Sequence, residues 1–393
     1  MEIKPAKRIE KVGEYYFSMK LKEIRGMNQR GPEVINLGIG SPDLAPSPEV
    51  IEALNDSSKQ AGNHGYQSYT GIPELREAFA AWYSRFYGVN LDPASEILPL
   101  MGSKEGIMHI SMAFLNPGDI VLVPNPGYPA YRSATELLGA KVHEYTLQEE
   151  NDWMPDVDDL EANLKTGTKL MWVNYPNMPT GQRGNQNLFV RLVEFARKNS
   201  ILIVNDNPYG FILNDKPSSL LSSEGAQDVV LELNSLSKSH NMAGWRIGMV
   251  AGRSDYIQYI LRIKSNMDSG MFKAMQEAAI KALEAGQEWY REQNKIYLAR
   301  RNHIWEIFDM LDCTYDKKQT GMFVWARIPS DKVSGQEYAD EILDRARVFI
   351  TPGFVFGSAG DQYLRASLCQ PLEVIHEAAK RIKNVGADLC VRP

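Results

Sequence analysis

The stretch SLSKSHNMAGWRIG, residues 235–248, places Lys238 between two serines and Arg246 eight positions further on. It follows the apolar run VVLEL (229–233) and leads into a second one, IGMVA (247–251). The residues around this lysine are otherwise apolar or small, and a charged amine in such surroundings indicates a functional role. The stretch therefore marks Lys238 as the first candidate functional residue.

Composition and charge narrow the classes of protein to which the chain can belong. Its 393 residues include 44% hydrophobic and 23% charged side chains, typical of a soluble globular protein with room for one large core and a second lobe. A net charge of −6 gives no electrostatic reason to expect nucleic acid or an anionic membrane as partner. A small-molecule substrate is predicted.

Targeting and cysteine patterns point to a reducing compartment. The start MEIKPAKRIEKV has no apolar signal core, and the apolar runs are too short to cross a bilayer. Cys313, Cys369 and Cys390 show neither a CxxC spacing nor a nearby histidine, which predicts no disulfide framework and no metal site. These features favour a cytoplasmic protein.

Short, β-branched apolar runs recur along the first two thirds of the chain. Strands buried on both faces of a sheet have this pattern. Helical patterns separate them, such as LFVRLVEFARK (188–198), capped by Asn185 or Asn187, and a segment with Pro73 in its first turn. The alternation predicts an α/β fold with a mostly parallel sheet between helices. The runs are IVLV (120–123), LMWV (170–173), ILIV (201–204), VVLEL (229–233) and IGMVA (247–251).

The pattern changes from about Ala274. Long, charged, amphipathic segments are followed by GMFVWARI (321–328) and YLRASL (363–368), which alternate like half-exposed strands. They predict a smaller α+β lobe. We expect a large domain over residues 46–275 and a small domain built from residues 1–45 and 276–393.

Polar residues follow directly after several of the predicted strands. ILIV leads into Asn205 and Asp206, and VVLEL leads into the stretch with Lys238. Ligands of open α/β sheets bind at the carboxyl ends of strands. Gly102 and Ser103 precede a helical pattern, and such a turn presents backbone N–H groups to an anion such as phosphate, although an ordinary helix cap has the same sequence.

Asp206 and Lys238 suit one kind of chemistry in particular. A Schiff-base enzyme needs a lysine that reaches an aldehyde and an acid that keeps a heterocyclic nitrogen protonated. An aspartate that caps or ion-pairs at the end of a buried strand is the structural alternative.

At this point the sequence resembles a known family. SLSKSHNMAGWRIG resembles the Ser-x-Ser-Lys signature, with its following Gly-x-Arg-x-Gly, of class I/II aminotransferases, which are fold type I enzymes that depend on pyridoxal 5'-phosphate. The likeness extends from INLGIGSPDL (35–44) to YLRASL and includes YQSYTGIPELREA (66–78), NPGYPAYRSA (125–134) and NDNPYGF (205–211). It implies a large domain with a seven-stranded sheet, a small α+β domain and a homodimer with shared active sites.

The resemblance also implies a role for each matching residue. Lys238 forms the Schiff base with the cofactor and shuttles the proton, Asp206 pairs with the ring nitrogen, and Tyr209 donates to the phenolic oxygen. Tyr128 stacks on the ring. Gly40 and Arg365 bind the substrate, with Arg365 on its α-carboxylate. The remaining cofactor contacts, mostly to the phosphate, are Ser103, Lys104, Asn177, Ser235, Ser237, Arg246 and, from the partner chain, Tyr66, while Tyr69 is expected in the core.

Two departures bear on the mechanism and the substrate. The family element Asn-Asn-Pro-Thr-Gly is Asn177-Met178-Pro179-Thr180-Gly181 here, and a thioether cannot donate the hydrogen bond that the second asparagine gives to the phenolic oxygen. Tyr209 is then the main donor left, unless water or Asn174 fills the place. SNMDSGMFKAM (265–275) lacks the arginine of dicarboxylate-specific members and offers Met271 and Phe272.

The predicted activity is ping-pong transfer of an amino group between an amino acid and a 2-oxo acid. A neutral or aromatic donor is favoured, although NYPN and KSNMDSG also resemble the diaminopimelate and alanine branch. A β-lyase of the same fold is the alternative. A non-catalytic cofactor-binding regulator would need a DNA-binding helix pair ahead of INLGIG, and the stretch before it is too short to favour one. An oxidoreductase would need GxGxxG after the first strand, and this motif is not present.

Overall fold

The computed structural model describes residues 3–11, 13–14 and 16–389. Its helices are Tyr16–Asn28 (α1), Pro48–Ser58 (α2), Pro73–Tyr87 (α3), Ser103–Phe114 (α4), Pro129–Leu137 (α5), Val157–Ala162 (α6), Gln186–Asn199 (α7), Leu236–Ser239 (α8), Ser254–Lys264 (α9), Lys273–Leu283 (α10), Gln287–Met310 (α11), Gly335–Ala346 (α12) and Leu372–Leu389 (α13). Its strands are Ile35–Asn36 (β1), Ile97–Leu100 (β2), Ile120–Asn125 (β3), Lys141–Thr146 (β4), Thr168–Val173 (β5), Leu202–Asp206 (β6), Val230–Ser235 (β7), Gly248–Gly252 (β8), Thr314–Tyr315 (β9), Phe323–Arg327 (β10), Val348–Phe349 (β11), Thr351–Pro352 (β12) and Tyr363–Ser367 (β13).

Seven strands form the large sheet, in the order β2-β8-β7-β6-β5-β3-β4. All run the same way except β8, which pairs antiparallel with both β7 and β2. The sheet is buried on both faces: along β5, Leu170 and Trp172 belong to one apolar core, and Met171 and Val173 belong to the other. The predicted α/β fold with a mostly parallel sheet is confirmed.

The five apolar runs all became strands, whereas β2 and β4 were not predicted. β2 is only four residues long and contains Pro99. β4 is an edge strand in which Tyr145 is the one buried residue, so its sequence KVHEYT carries no apolar run. A half-exposed edge strand is harder to recognise because polar side chains are tolerated there.

The predicted helix signals are correct. Pro73 is the first residue of α3, which buries Leu75, Phe79 and Trp82 on one face. α7 begins after Asn185, whose side chain accepts a hydrogen bond from the backbone N–H of Leu188, which decides between the two proposed caps.

A four-stranded antiparallel sheet in the order β12-β13-β10-β9 lies in the second unit. The expectation that its strands are half-exposed is wrong: β13 is buried throughout, and β10 is exposed only at Arg327. Helices α11 and α12 pack against this sheet. Trp325 and Tyr363 stack on each other and contact Trp153, a residue that follows β4 of the large sheet.

The division into domains stays a proposal, with two observations that bear on it. β1 pairs in parallel with β11, which supports a small domain that draws on both ends of the chain. The proposed border after residue 275 falls inside α10, a helix that packs on α2 and α3. None of the described helices is both long and apolar enough to span a membrane. Cys313 and Cys369 are buried and free, and Cys390 lies outside the described residues.

Candidate active site

A cavity of about 630 Å³ opens where the strands of the large sheet end and the small sheet faces them. All the predicted site residues line it except Asn177 and Tyr66. Those that do are Gly40, Ser103, Lys104, Tyr128, Asp206, Tyr209, Ser235, Ser237, Lys238, Arg246 and Arg365.

Lys238 lies in α8, the single turn of helix that follows β7. The turn is capped by Ser235, whose Oγ accepts from the backbone N–H of Ser237 at 3.1 Å. Lys238 Nζ donates to the backbone oxygen of Gly40 at 2.8 Å, and burial lowers its pKa. A lowered pKa is what a nucleophilic amine requires. Gly40 has no room for a side chain, because a Cβ there would lie 2.2 Å from the ring of Phe323.

Asp206 ends β6 as a fully buried carboxylate. Its Oδ2 accepts from Tyr131 at 2.9 Å, whereas its Oδ1 is buried without a hydrogen-bond partner among the described residues. Burial raises its pKa to about 7. The alternative interpretation, an aspartate that caps or ion-pairs, finds no cation beside it within the described part of the chain. A carboxylate left half-satisfied in a cavity suits a cationic ligand atom.

The start of α4 and the residues before β8 form a second polar corner. Gly102 has φ +88°, and a Cβ there would lie 2.2 Å from the guanidinium of Arg246, so only glycine fits. Ser103, the next residue, has a buried Oγ with no partner in the described structure. Arg246 donates to the carbonyl of Ala243 at 2.8 Å and forms no ion pair within the described residues. A helix N-terminus, a free hydroxyl and a guanidinium together suit a phosphate.

Arg365 comes from β13 on the opposite wall. Its Nη2 donates to the carbonyl of Gly38 at 2.7 Å, and its Nη1 lies 3.3 Å from the sulfur of Met178. The guanidinium is 3.9 Å from the ring centre of Phe323 and 4.5 Å from that of Phe356. These contacts hold the guanidinium in the lining of the cavity, where a carboxylate that binds it would replace some of them.

Two of the predicted placements, those of Asn177 and Tyr69, differ in the structure. The side chain of Asn177 lies outside the cavity, because its oxygen accepts from the backbone and hydroxyl of Thr180 within the same turn. The structure therefore gives no support for Asn177 as a cofactor contact. Tyr69, expected in the core, is 43% exposed. Tyr66 lies away from this cavity and is 92% exposed, and its predicted contact with the partner chain's phosphate stays a prediction.

Four further residues line the cavity although they were not predicted as contacts: Phe17, Tyr131, Asn174 and Met178. Tyr131 could have been found from YPAY, since residues three apart share a helix face. Asn174 donates to the carbonyl of Asp206, and its Oδ1 accepts from the backbone N–H of Met178 at 2.7 Å. Phe17 belongs to α1, whose sequence carries no motif.

Comparison with known proteins gives the class to which this arrangement belongs. The family model described as "Aminotransferase class I and II" matches residues 32–382. The chain belongs to the class I and II aminotransferase family, as the sequence motifs predicted.

Individual relatives agree over the full length. The chain is 39% identical, over 98% of its length and 100% of the relative, to an LL-diaminopimelate aminotransferase of Nitratidesulfovibrio vulgaris. It is 40% identical, over 97% of its length and 98% of the relative, to one of Dehalococcoides mccartyi. The substrate-bound structure of BacF from Bacillus subtilis matches with a TM-score of 0.93 and 36% identity over 98% of both chains.

These findings confirm the predicted fold type I architecture and the predicted activity. The protein is an aminotransferase, and the elimination chemistry kept as an alternative has no support among these relatives. The family implies pyridoxal phosphate as the cofactor.

Proposed function

We propose that the cavity holds pyridoxal 5'-phosphate covalently attached to Lys238 and uses it to move an amino group between an amino acid and a 2-oxo acid. The observation that carries this proposal is that one cavity collects Lys238, Asp206 and Arg365, three groups from distant parts of the chain. Two buried oxygens that have no hydrogen-bond partner within the described part of the chain, Ser103 Oγ and Asp206 Oδ1, fit the phosphate and the ring nitrogen of this cofactor.

The polar groups of the large-domain wall then bind different parts of the cofactor. Ser103, Ser235, Ser237 and Arg246 bind the phosphate, with Lys104 at its edge. Asp206 binds the protonated ring nitrogen, which lowers the pKa of this carboxyl from its raised value. Tyr209 donates to the phenolic oxygen, and Tyr128 stacks on the ring. Tyr131, through its contact with Asp206, positions that carboxylate.

The chemistry needs an acid-base group beside the substrate α-carbon. Pyridoxal phosphate supplies the aldehyde that accepts the substrate amine and the ring that withdraws electrons. With the cofactor bound, Lys238 Nζ would be the group that takes the proton from the substrate α-carbon and returns one later. Arg365 holds the α-carboxylate so that the C–H bond faces Lys238.

We infer further that the amino-group substrate is LL-diaminopimelate, supported by the names of two full-length relatives. A second candidate, an aromatic amino acid, is favoured by the rings of Phe17, Phe323 and Phe356 around Arg365. Incubation of the holoenzyme with 2-oxoglutarate and each donor, followed by glutamate release, separates them. A kcat/KM for LL-diaminopimelate below that for phenylalanine would overturn the first assignment, and pyruvate with ammonia instead of glutamate would overturn transamination.

The proposed homodimer rests on one exposed surface. Tyr66 shares a shallow depression with Ser269–Phe272, in which Phe272 is also exposed and stacks on His64. Exposed aromatic side chains grouped this way are typical of subunit interfaces. Tyr66 from a partner then reaches the phosphate. A fully active monomer in analytical ultracentrifugation at assay concentration would contradict this.

A further inference from the structure

A second cavity, of about 610 Å³, lies between α11 and the chain segment that follows Tyr209. It shares no lining residue with the first cavity. Its floor is aromatic: Phe211 stacks on Tyr290 with ring centres 4.3 Å apart, and Phe86 meets Phe211 edge-on at 5.1 Å. The volume is in the range of small-molecule sites.

Four basic side chains line this cavity, and three of them have carboxylate partners. The pairs are Arg183 with Asp215 at 2.7 Å, Arg291 with Glu288 at 2.9 Å, and Lys295 with Glu292 at 2.5 Å. Within each of these pairs at the rim the two charges neutralise each other, and such exposed ion pairs contribute little to stability.

Arg301 is the fourth basic residue and differs from the others. It is half-buried, it forms no ion pair with a carboxylate among the described residues, and its Nε is buried there without a hydrogen-bond partner. Its Nη1 donates to the carbonyl of Gln319 at 2.7 Å, and its guanidinium lies 4.7 Å from the ring centre of Trp305. Burial and the charge of Arg183 lower its pKa. The cation is thus held rigidly and lacks a neutralising charge.

The cavity wall is held in place by hydrogen bonds between one side chain and the polypeptide backbone. Asn294 of α11 donates to the carbonyl of Phe211 and accepts from the N–H of Leu213. Leu213 has φ +48°, a conformation that costs free energy for a branched side chain and persists only where its surroundings enforce it. A preformed wall of this kind loses little entropy when a ligand binds.

We propose that this second cavity binds a small amphipathic carboxylate, with Arg301 on the carboxylate and the rings of Phe211 and Tyr290 against the apolar body. A guanidinium binds a carboxylate through two parallel hydrogen bonds, which suits a group with an unused Nε–H. The apolar floor requires an aryl or alkyl body rather than a bare anion. This site is separate from the aminotransferase activity and does not rest on the proposed substrate.

The test uses 4-phenylbutyrate as probe and isothermal titration calorimetry on the holoenzyme. Because Arg365 also attracts carboxylates, the titration is run in Arg365→Gln protein, where we expect one molecule bound per chain. Adding Arg301→Gln should weaken binding at least about 10-fold, the effect of losing a charged hydrogen-bonding partner. Arg291→Gln, which removes an exposed and already paired arginine of the same rim, should change the affinity less than about 2-fold.

Three outcomes would overturn the proposal. They are the absence of binding at millimolar probe in Arg365→Gln protein, unchanged affinity after Arg301→Gln, and equal losses in the Arg301 and Arg291 variants. Urea unfolding midpoints show whether each variant is folded. Phe211→Leu provides a second measurement, since it keeps the charge and should weaken 4-phenylbutyrate while leaving acetate, which lacks an apolar body, unaffected.

Discussion

The two walls of the active-site cavity are built on different principles. On the large-domain wall, Ser103 and Asp206 each carry a buried oxygen without a partner in the described residues. On the small-domain wall, Arg365 is surrounded by contacts: the carbonyl of Gly38, the sulfur of Met178 and the ring of Phe323.

The difference indicates when each wall reaches its final state. Unsatisfied buried polar atoms cost free energy, so the large-domain wall is complete only with a ligand bound. On the small-domain wall both terminal nitrogens of Arg365 already have contacts within the protein, so a substrate carboxylate that binds them has to replace these contacts. The first wall suits a resident cofactor, and the second suits a group that binds and leaves in each cycle.

The largest expected effect is on the lysine between the walls. Lys238→Ala should lower turnover by at least about 10⁴-fold, because both the covalent attachment and the proton transfer are lost. The variant should still bind pyridoxal phosphate but give no adduct with borohydride in a mass spectrum. Lys104→Ala, at the edge of the same cavity, is the matched control and should retain the adduct; turnover retained by Lys238→Ala sinks the assignment.

The second prediction concerns the unsatisfied wall. In cofactor-free protein, the pKa of Asp206 near 7 exceeds its ordinary value, so the free energy of unfolding should fall as pH rises from about 4 to about 7. Asp206→Asn removes this pH-dependent loss. Its free energy of unfolding should exceed that of the wild type by up to about 4 kcal/mol at pH 8 and by little at pH 4.

Urea unfolding at both pH values measures the difference, with the exposed Asp228→Asn as control. Saturation with pyridoxal phosphate should reverse the order of stability, since the carboxylate then has its cationic partner. A stability difference that does not vary with pH would show that the carboxyl group is not held in its protonated form by burial.

The third prediction concerns the small-domain wall. Arg365→Gln should lower kcat/KM by about 100-fold, mostly through KM, because the substrate carboxylate loses its charged partner. Arg327→Gln, on the neighbouring strand and exposed to solvent, should have almost no effect. Steady-state kinetics with one donor suffice, and a fall of equal size in both variants would mean that the loss is structural.

The smallest expected effect lies where the walls meet, at Met178. Met178→Asn introduces a hydrogen-bond donor toward the cofactor's phenolic oxygen, which stabilises the anionic form and should lower the pKa of the lysine-linked chromophore by about one unit or less. Asn174 is a weak competitor for this place, since its amide is already engaged by Asp206 and Met178.

A spectrophotometric pH titration of the holoenzyme measures this shift. Met178→Leu, which has no donor, should titrate like the wild type. An unchanged or higher pKa in Met178→Asn would mean that residue 178 does not face the phenolic oxygen or that another donor is present.

Sequence reasoning worked best on the large-domain wall. Asp206 and Lys238 follow apolar strands directly, and the carboxyl ends of parallel strands meet at one edge, so their proximity follows from the pattern. Ser103 and Arg246 belong to local motifs in which Gly102 and Gly248 are required by close approach.

The small-domain wall was less predictable, because its contacts join residues far apart in the chain. Nothing in the sequence around Phe17 or Phe356 indicates that their rings meet Arg365. Met178 could be recognised as a departure, but its contact with Arg365 could not, since 187 positions separate them. The sequence also did not indicate that the side chain of Asn177 bonds to Thr180 within its own tight turn, outside the cavity.

The reversed direction of β8 has a consequence for how this protein can vary. Because β8 runs against its neighbours, it starts at the edge where β7 ends, and one short return loop carries both Lys238 and Arg246. The length of that loop sets the distance between Lys238, the proposed attachment point, and Arg246, the proposed phosphate contact. One inserted residue adds about 3.8 Å of chain, more than the length of a hydrogen bond. Substitutions within the loop keep this distance, whereas an insertion or deletion changes it. We therefore expect the loop to accept changes in residue identity but not in length.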